Sequence, residues 1–236
     1  MASLVQACPW CYVGKARFDK ALAGFANRDQ VEVVHRSFEL DPHRSKDDVE
    51  PVLALLTRKY GMSQAQAEAG EDRLGALAAA EGLEYRTRGR DHGNTFDMHR
   101  LLHFAKTRGL QAALLDVLYR ANFAEERSVF TEGPERLVEL AAKAGLNAEE
   151  ARAVLADPVA YADEVRADEE EAARLGATGV PFFVLDRTYG VSGAQPVSVF
   201  TQALTQAWAE HTPLRPIDQG QQAQACGPDG CAVPRD

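Results

Sequence analysis

Residues 8–25 read CPWCYVGKARFDKALAGF, and the fold turns on this stretch. Trp10, Val13, Gly14, Phe18, Leu22 and Phe25 recur at steps of three and four, the apolar stripe of an amphipathic helix. The spacing predicts a helix from about Pro9 to Gly24, with Pro9 in a first turn where no backbone hydrogen bond is lost. Cys8 then stands at the helix start, beside free amides and the positive end of the helix dipole. The thiolate is the reacting form of cysteine, and a helix N-terminus can lower its pKa from ~8.5 to roughly 3.5–7.5. Each unit is worth about 1.4 kcal/mol in favour of the anion. Cys11 follows one turn deeper on the same face, placed to displace whatever Cys8 captures. Two cysteines at this spacing are also half of a zinc site. The helix onset, the proline inside the pair and the lack of a nearby second half favour dithiol chemistry.

Moving outward, residues 31–40 (VEVVHRSFEL) are rich in β-branched and aromatic side chains and read as a strand ending at Asp41-Pro42. From Ser45 to about Gly176 the pattern is helical almost throughout. Ser45 and Ser63, each three residues before an acid or amide, resemble capping boxes. Gly61, Gly82, Gly109 and Gly145 fall where helices should end. Thr95 is placed to cap a helix carrying Phe96, His99, Leu102 and His103. Asn147 and Asp157-Pro158 are read as starting two more. At Val180 the pattern changes: residues 181–185 (PFFVL) and 189–192 are short strands around a turn at Asp186-Arg187-Thr188. Pro196 opens a last helix. After His211 the composition becomes that of a tail. The fold class expected is α/β with a helical insertion.

The chain has 236 residues, 45% of them hydrophobic, and a net charge of −9. No basic stripe is available to neutralise phosphates, so nucleic acid is not an expected partner. The short cluster Arg86, Arg88, Arg90 reads as a solvated loop. No apolar run is long enough to cross a bilayer, and the seven residues before Cys8 carry no secretory pattern, so the cytoplasm is the expected location. The four cysteines form two close pairs, Cys8/Cys11 and Cys226/Cys231. In a reducing compartment such pairs point to redox chemistry or metal binding.

Four strings carry a family resemblance: CPWCYVGK (8–15), SFELDP (37–42), GNTFDMHRL (93–101) and GVPFFV (179–184). Together they resemble DsbA-family thioredoxin-fold oxidoreductases, most closely the FrnE-type branch, from Cys8 to about Trp208. The resemblance implies a thioredoxin-like fold (1–44 and 177–210) interrupted by a large all-helical insertion (45–176), with an irregular tail (211–236). It implies no bound organic cofactor and no metal. It makes Cys8 and Cys11 the reactive pair acting on protein or peptide thiols and disulfides, with a small-molecule thiol or a thioredoxin system as recycling partner. It also implies a cis Pro181, with Val180 presenting its backbone to an extended substrate. By residues alone Pro181 could equally be an ordinary strand-entry proline. Pro9, Trp10, Asn94, Phe96, His99 and Arg100 match family positions beside the active site. Read without the family, Thr95 caps, Phe96 packs and His99 is a satisfied interfacial histidine. One departure stands out: the family has a full strand before its cysteines, and here only residues 1–7 (MASLVQA) are available.

Cys226 and Cys231 flank Gly-Pro-Asp-Gly, a sequence that favours a tight turn and brings its ends within disulfide reach. They are expected either to exchange electrons with Cys8/Cys11 as a relay or to pin the tail. Two rival functions stay open. Four sulfurs could hold one soft metal ion. Related thioredoxin-fold proteins are glutathione-linked transferases or isomerases, but these typically present serine where Cys8 stands.

Overall fold

The computed structural model describes residues 8–211 and, as backbone only, residues 2–3, 226–227 and 230–231. Strand β1 (Ala2–Ser3) leads to helix α1 (Pro9–Ala23) and strand β2 (His35–Arg36). Then come β3 (Glu50–Pro51), α2 (Val52–Tyr60), α3 (Gln64–Ala80) and β4 (Asp91–His92). Five helices follow: α4 (Phe96–Thr107), α5 (Gln111–Phe123), α6 (Gly133–Lys143), α7 (Ala148–Ala156) and α8 (Ala162–Arg174). The hairpin β5 (Phe182–Leu185) and β6 (Tyr189–Ser192) precedes α9 (Val197–Glu210), and β7 (Cys226–Gly227) and β8 (Gly230–Cys231) lie in the tail.

The main sheet has the order β2-β1-β5-β6, with β1 parallel to β2 and antiparallel to β5. The β5–β6 turn has positive φ at both Asp186 and Arg187, with the Thr188 amide donating to the Leu185 carbonyl at 3.0 Å. Left-handed torsions at both central positions match the twist of the flanking strands. On this sheet α1 and α9 pack through rings. Phe183 meets Phe200 edge-on at 4.6 Å and stacks on Phe18 at 5.3 Å. Such offset and edge geometries are the favourable ones for aromatic pairs.

The hydrophobic core runs without a break from this sheet into the helical block and includes both Cys8 and Cys11. Helix α4 is buried on every side from Met98 to Ala105, as a helix at the centre of a bundle must be. That run contains His99, Arg100 and His103, so burial here includes charge.

Several sequence expectations hold. Helix α1 begins at Pro9 as its stripe requires. Ser63 forms both halves of its capping box: its Oγ accepts from the Gln66 amide at 3.3 Å, and Gln66 Oε1 accepts from the Ser63 amide at 2.8 Å. Asn147 caps α7 through the amides of Glu149 and Glu150.

Others need correction. The strand expected over residues 31–40 is reduced to His35–Arg36, because amides beyond it are taken by side chains. Ser37 N–H donates to Asp168 Oδ2 at 2.8 Å, and Glu39 N–H to Glu169 Oε1 at 3.1 Å. The insertion is not all-helical, since β3 and β4 pair antiparallel within it. Ser45 closes a turn rather than a helix, its carbonyl accepting from Asp48 N–H at 3.1 Å. Asp157-Pro158 likewise forms a turn, and α8 starts only at Ala162. Arg90 is not solvated. It is 8% exposed, ion-paired to buried Glu71 and stacked over the Tyr85 ring at 4.7 Å.

In the tail, Cys226 lies opposite Cys231 and Gly227 opposite Gly230 in an antiparallel ladder. Pro228, Asp229 and the side chains of both cysteines lie outside the described residues.

Candidate active site

Cys8 is the N-cap of α1, in extended conformation, and its carbonyl accepts the first helical bonds from Cys11 N–H at 3.0 Å and Tyr12 N–H at 3.2 Å. This geometry leaves the sulfur among free amides of the first turn. Cys8 and Cys11 are both unoxidised thiols, 5% and 0% exposed. The Cys8 pKa lies below the ordinary thiol value. The largest cause is a hydrogen bond from the Cys11 side chain, helped by the Cys11 and Trp10 amides, and together these outweigh the opposing effect of burial. A thiol held this way carries its charge more readily than free cysteine and is the better nucleophile near neutral pH.

The Val180–Pro181 bond is cis, and Cys8 Sγ lies 3.9 Å from the Val180 carbonyl oxygen. The sequence places these residues 172 positions apart, and the fold brings them together. What permits the approach is Gly14: a Cβ built there would lie 2.9 Å from Pro181 Cγ and 3.4 Å from the Ala194 backbone. The loop is held on its other side by Gly193 N–H, which donates to the Pro181 carbonyl at 2.8 Å. Trp10, which lies between the two cysteines in sequence, is 43% exposed, a large apolar side chain left in solvent.

Asn94, Phe96, His99 and Arg100 make their contacts elsewhere. Asn94 Nδ2 donates to the Arg44 carbonyl at 2.7 Å, while its Oδ1 accepts from Phe96 N–H at 2.9 Å, the capping bond that Thr95 does not supply. The Phe96 ring lies under the Arg166 guanidinium at 4.6 Å. His99 has no exposed surface, and burial pushes its pKa down to about 3, with His103 adding to the shift. Arg100 is equally buried and donates to the carbonyls of Ala160, Val154 and Asp157. It therefore fastens α4 to the turn that precedes α8.

Around the cysteines the structure adds aromatic residues that the sequence pattern did not single out. Tyr12 stacks on Phe123 at 5.0 Å and meets Tyr119 at 5.3 Å, and Tyr85 also stacks on Phe123 at 5.6 Å. Tyr12, Tyr119 and Phe123 occupy ordinary apolar positions of α1 and α5, and Tyr85 lies in the segment between α3 and β4. Only the adjacency of Tyr12 to Cys11 could have pointed to them.

A two-layer packing of helices on a β2-β1-β5-β6 sheet, with a dithiol at a helix start facing a cis-proline loop, defines a thioredoxin-fold protein. The model of the DSBA-like thioredoxin domain matches residues 6–205, and the chain belongs to that family of thiol–disulfide oxidoreductases. A solved structure of a probable DsbA oxidoreductase from Streptomyces coelicolor is 76% identical. The match covers 99% of this chain and 98% of that one, with a TM-score of 0.90. The cytosolic disulfide reductase DsbM from Pseudomonas aeruginosa shares the fold at 22% identity and a TM-score of 0.58, over 88% of this chain and 98% of that one. The same protein with GSH gives 21% identity and a TM-score of 0.57, over 87% and 96% of the two chains. A comparison with functionally curated proteins found no match.

Among the described residues, no helix is long and apolar enough to cross a membrane, and no group of three or more His, Cys, Asp and Glu side chains is arranged to hold a metal.

Proposed function

We propose that this protein exchanges disulfides with protein or peptide substrates in the cytoplasm through Cys8 and Cys11. The observation that carries this is the Cys8 sulfur at the start of α1, with a lowered pKa, a thiol donor one turn away and the Val180 carbonyl 3.9 Å off. Cys8 thiolate attacks one sulfur of a substrate disulfide, forming a mixed disulfide and releasing the first substrate thiolate. Cys11 then attacks Cys8 Sγ, forming the Cys8–Cys11 bond and releasing the second. Val180 offers a backbone edge to an extended substrate, and Pro9 and Trp10 line the approach. Likeness to a cytosolic disulfide reductase that has been solved with GSH supports glutathione as the recycling thiol and the reducing direction. Cys226 and Cys231, opposite each other in the β7–β8 ladder, act as a relay for the first pair.

The test is reduction of a peptide disulfide with glutathione as electron source. Cys8→Ser is expected to lower turnover by at least about 1,000-fold, as loss of a nucleophile does. Cys11→Ala is expected to accumulate a Cys8 mixed disulfide visible by mass spectrometry. Full activity in Cys8→Ser would refute the assignment. Replacing both tail cysteines is expected to slow re-reduction of Cys8–Cys11, and an unchanged rate removes the relay.

A further inference from the structure

Arg17 lies on α1 three residues after Gly14, on the side of the helix that faces the turn following β6. Its guanidinium forks between two acceptors. Nη1 donates to the Ala194 carbonyl at 2.7 Å, and Nε donates at 2.7 Å to Oε1 of Glu81, where α3 ends. Lys20 Nζ donates to Glu81 Oε2 at 2.7 Å, so this carboxylate holds a second cation of α1. The Lys20 ammonium, aided by Arg17 against burial, keeps the Glu81 carboxyl below its usual range. The Arg17 and Glu81 side chains are only 15% and 12% exposed, which spares them the screening that leaves most surface ion pairs worth little. We infer that Arg17 is a positioning residue: it fixes the turn at Ala194, and through that turn the Val180–Pro181 loop, as the edge on which a peptide disulfide is held.

Adjacent residues of the turn make the link. Ala194 offers its carbonyl to Arg17, and Gly193 donates its N–H to the Pro181 carbonyl at 2.8 Å. The turn between is braced by Gln195, whose N–H donates to the Gly193 carbonyl at 2.9 Å and whose Nε2 donates to the Ser192 carbonyl at 2.8 Å. A displacement at one handle is therefore passed to the other. Gly14 sets how closely α1 can approach this turn, since a Cβ there would lie 3.4 Å from Ala194 Cα. Arg17 adds direction, because a hydrogen bond constrains angle as well as distance. The rigid fork of arginine holds both acceptors in one fixed relation, which a lysine ammonium does not. Cys8 stands at the start of the same helix, 3.9 Å from the Val180 carbonyl, so a loop registered to α1 is registered to the sulfur. A substrate paired along Val180 must bring its own sulfur in line with Cys8, and small misplacements there cost rate. A disulfide with no peptide backbone does not use that edge.

The inference rests on the proposed function, with Cys8 as attacking thiol and Val180 as substrate edge, and two probes in the full chain separate the claims. One is a peptide disulfide and the other hydroxyethyl disulfide, with formation of the Cys8 mixed disulfide followed by acid quench and mass spectrometry. In Arg17→Ala the rate with the peptide is expected to fall by about 10-fold, the lower end of what a hydrogen bond to a charged group is worth. The rate with hydroxyethyl disulfide is expected to match wild type. Glu81→Ala should show a smaller fall of the same kind, because Arg17 keeps its bond to Ala194. The double variant should be no slower than Arg17→Ala, since both residues act through one contact. Arg17→Lys, which keeps the charge and loses the fork, should fall between wild type and Arg17→Ala. Equal slowing with both probes, or an unchanged rate with the peptide, would overturn the role of Arg17. Should Arg17→Ala not fold, Arg17→Lys carries the comparison, and a wild-type peptide rate in it is the overturning result. Failure of the wild type to form a Cys8 adduct with either probe would instead overturn the proposed function.

Discussion

The start of α1 and the space beneath β2 each bury a negative charge, and the two are treated in opposite ways. Under β2, Asp168 accepts from Arg36 Nη1 at 2.7 Å and from the Ser37 amide at 2.8 Å, and lies 3.1 Å from His103 Nε2. Burial alone would raise its pKa, but these partners overcome that and hold the carboxyl below its usual range. The charge is saturated and has nothing left to offer a reactant. At Cys8 the lowered pKa depends on one thiol and two backbone amides, all working against burial. Weak donors stabilise the anion enough to form it and leave it able to react. Burial by itself therefore says little about function, and the quality of the donors around the charge decides.

The largest test of this contrast removes each anion in turn. Asp168→Ala leaves the Arg36 guanidinium and the Ser37 amide without their shared acceptor. Breaking a buried ion pair by deleting one partner costs roughly 3–5 kcal/mol, and that loss is expected in the urea midpoint. The folded variant should still alkylate at Cys8 with the wild-type rate. Cys8→Ser is expected to change stability by no more than about 1 kcal/mol, as most substitutions without a cavity or lost partner do. Asp168→Ala with wild-type stability would show that the clamp is idle and remove the distinction.

A smaller effect is expected where α1 meets the cis-proline loop. Gly14→Ala places a methyl group 2.9 Å from Pro181 Cγ and 3.4 Å from Ala194 Cα, with φ already ordinary for any residue. Overpacking of this kind costs about 1–3 kcal/mol. The loop is also the proposed substrate edge, so KM for a peptide disulfide should rise, while iodoacetamide reacts with Cys8 as before. An unchanged KM would mean that the loop does not hold the substrate.

How much of this could be read in advance follows from where each determinant lies. Helix α1, its proline start and the β5–β6 hairpin are encoded by residues within a dozen positions of each other, and all three were legible. So was the Ser63 box. The strand over residues 31–40 was not, because Asp168 and Glu169 take its amides from about 130 residues away, and no local pattern announces that. Arg90 read as solvated for a similar reason, its partner Glu71 lying 19 residues back on α3. At the site, the cysteine pair was legible from its position at a helix start. The nearness of Val180 and the cis Pro181 followed only from family resemblance. Tyr119 was invisible, since a tyrosine on the apolar stripe of a helix looks like any core residue.

The smallest expected effect concerns buried bases, and it separates the two regions by pH. Burial pushes His35 and His92 down to about 4 and His99 to about 3, with Lys15, Arg44 and His103 respectively adding to the shift. These groups stay neutral in the folded protein while the unfolded chain takes up protons near pH 6.5. The unfolded state then binds more protons, so stability rises with pH and falls on acidification from 7 to 6. Each histidine contributes roughly 0.7 kcal/mol over that single unit, a window in which ordinary carboxylates do not titrate. Cys8 adds a slope of the same sign, because its folded pKa lies below that of the unfolded thiol. Urea midpoints at pH 7 and 6 should therefore differ in the wild type. The difference should shrink slightly in Cys8→Ser and clearly in His99→Phe, a histidine-sized apolar replacement at a buried position. A pH-independent midpoint would mean that these histidines are protonated in place, and that the helical block tolerates unsaturated buried charge after all.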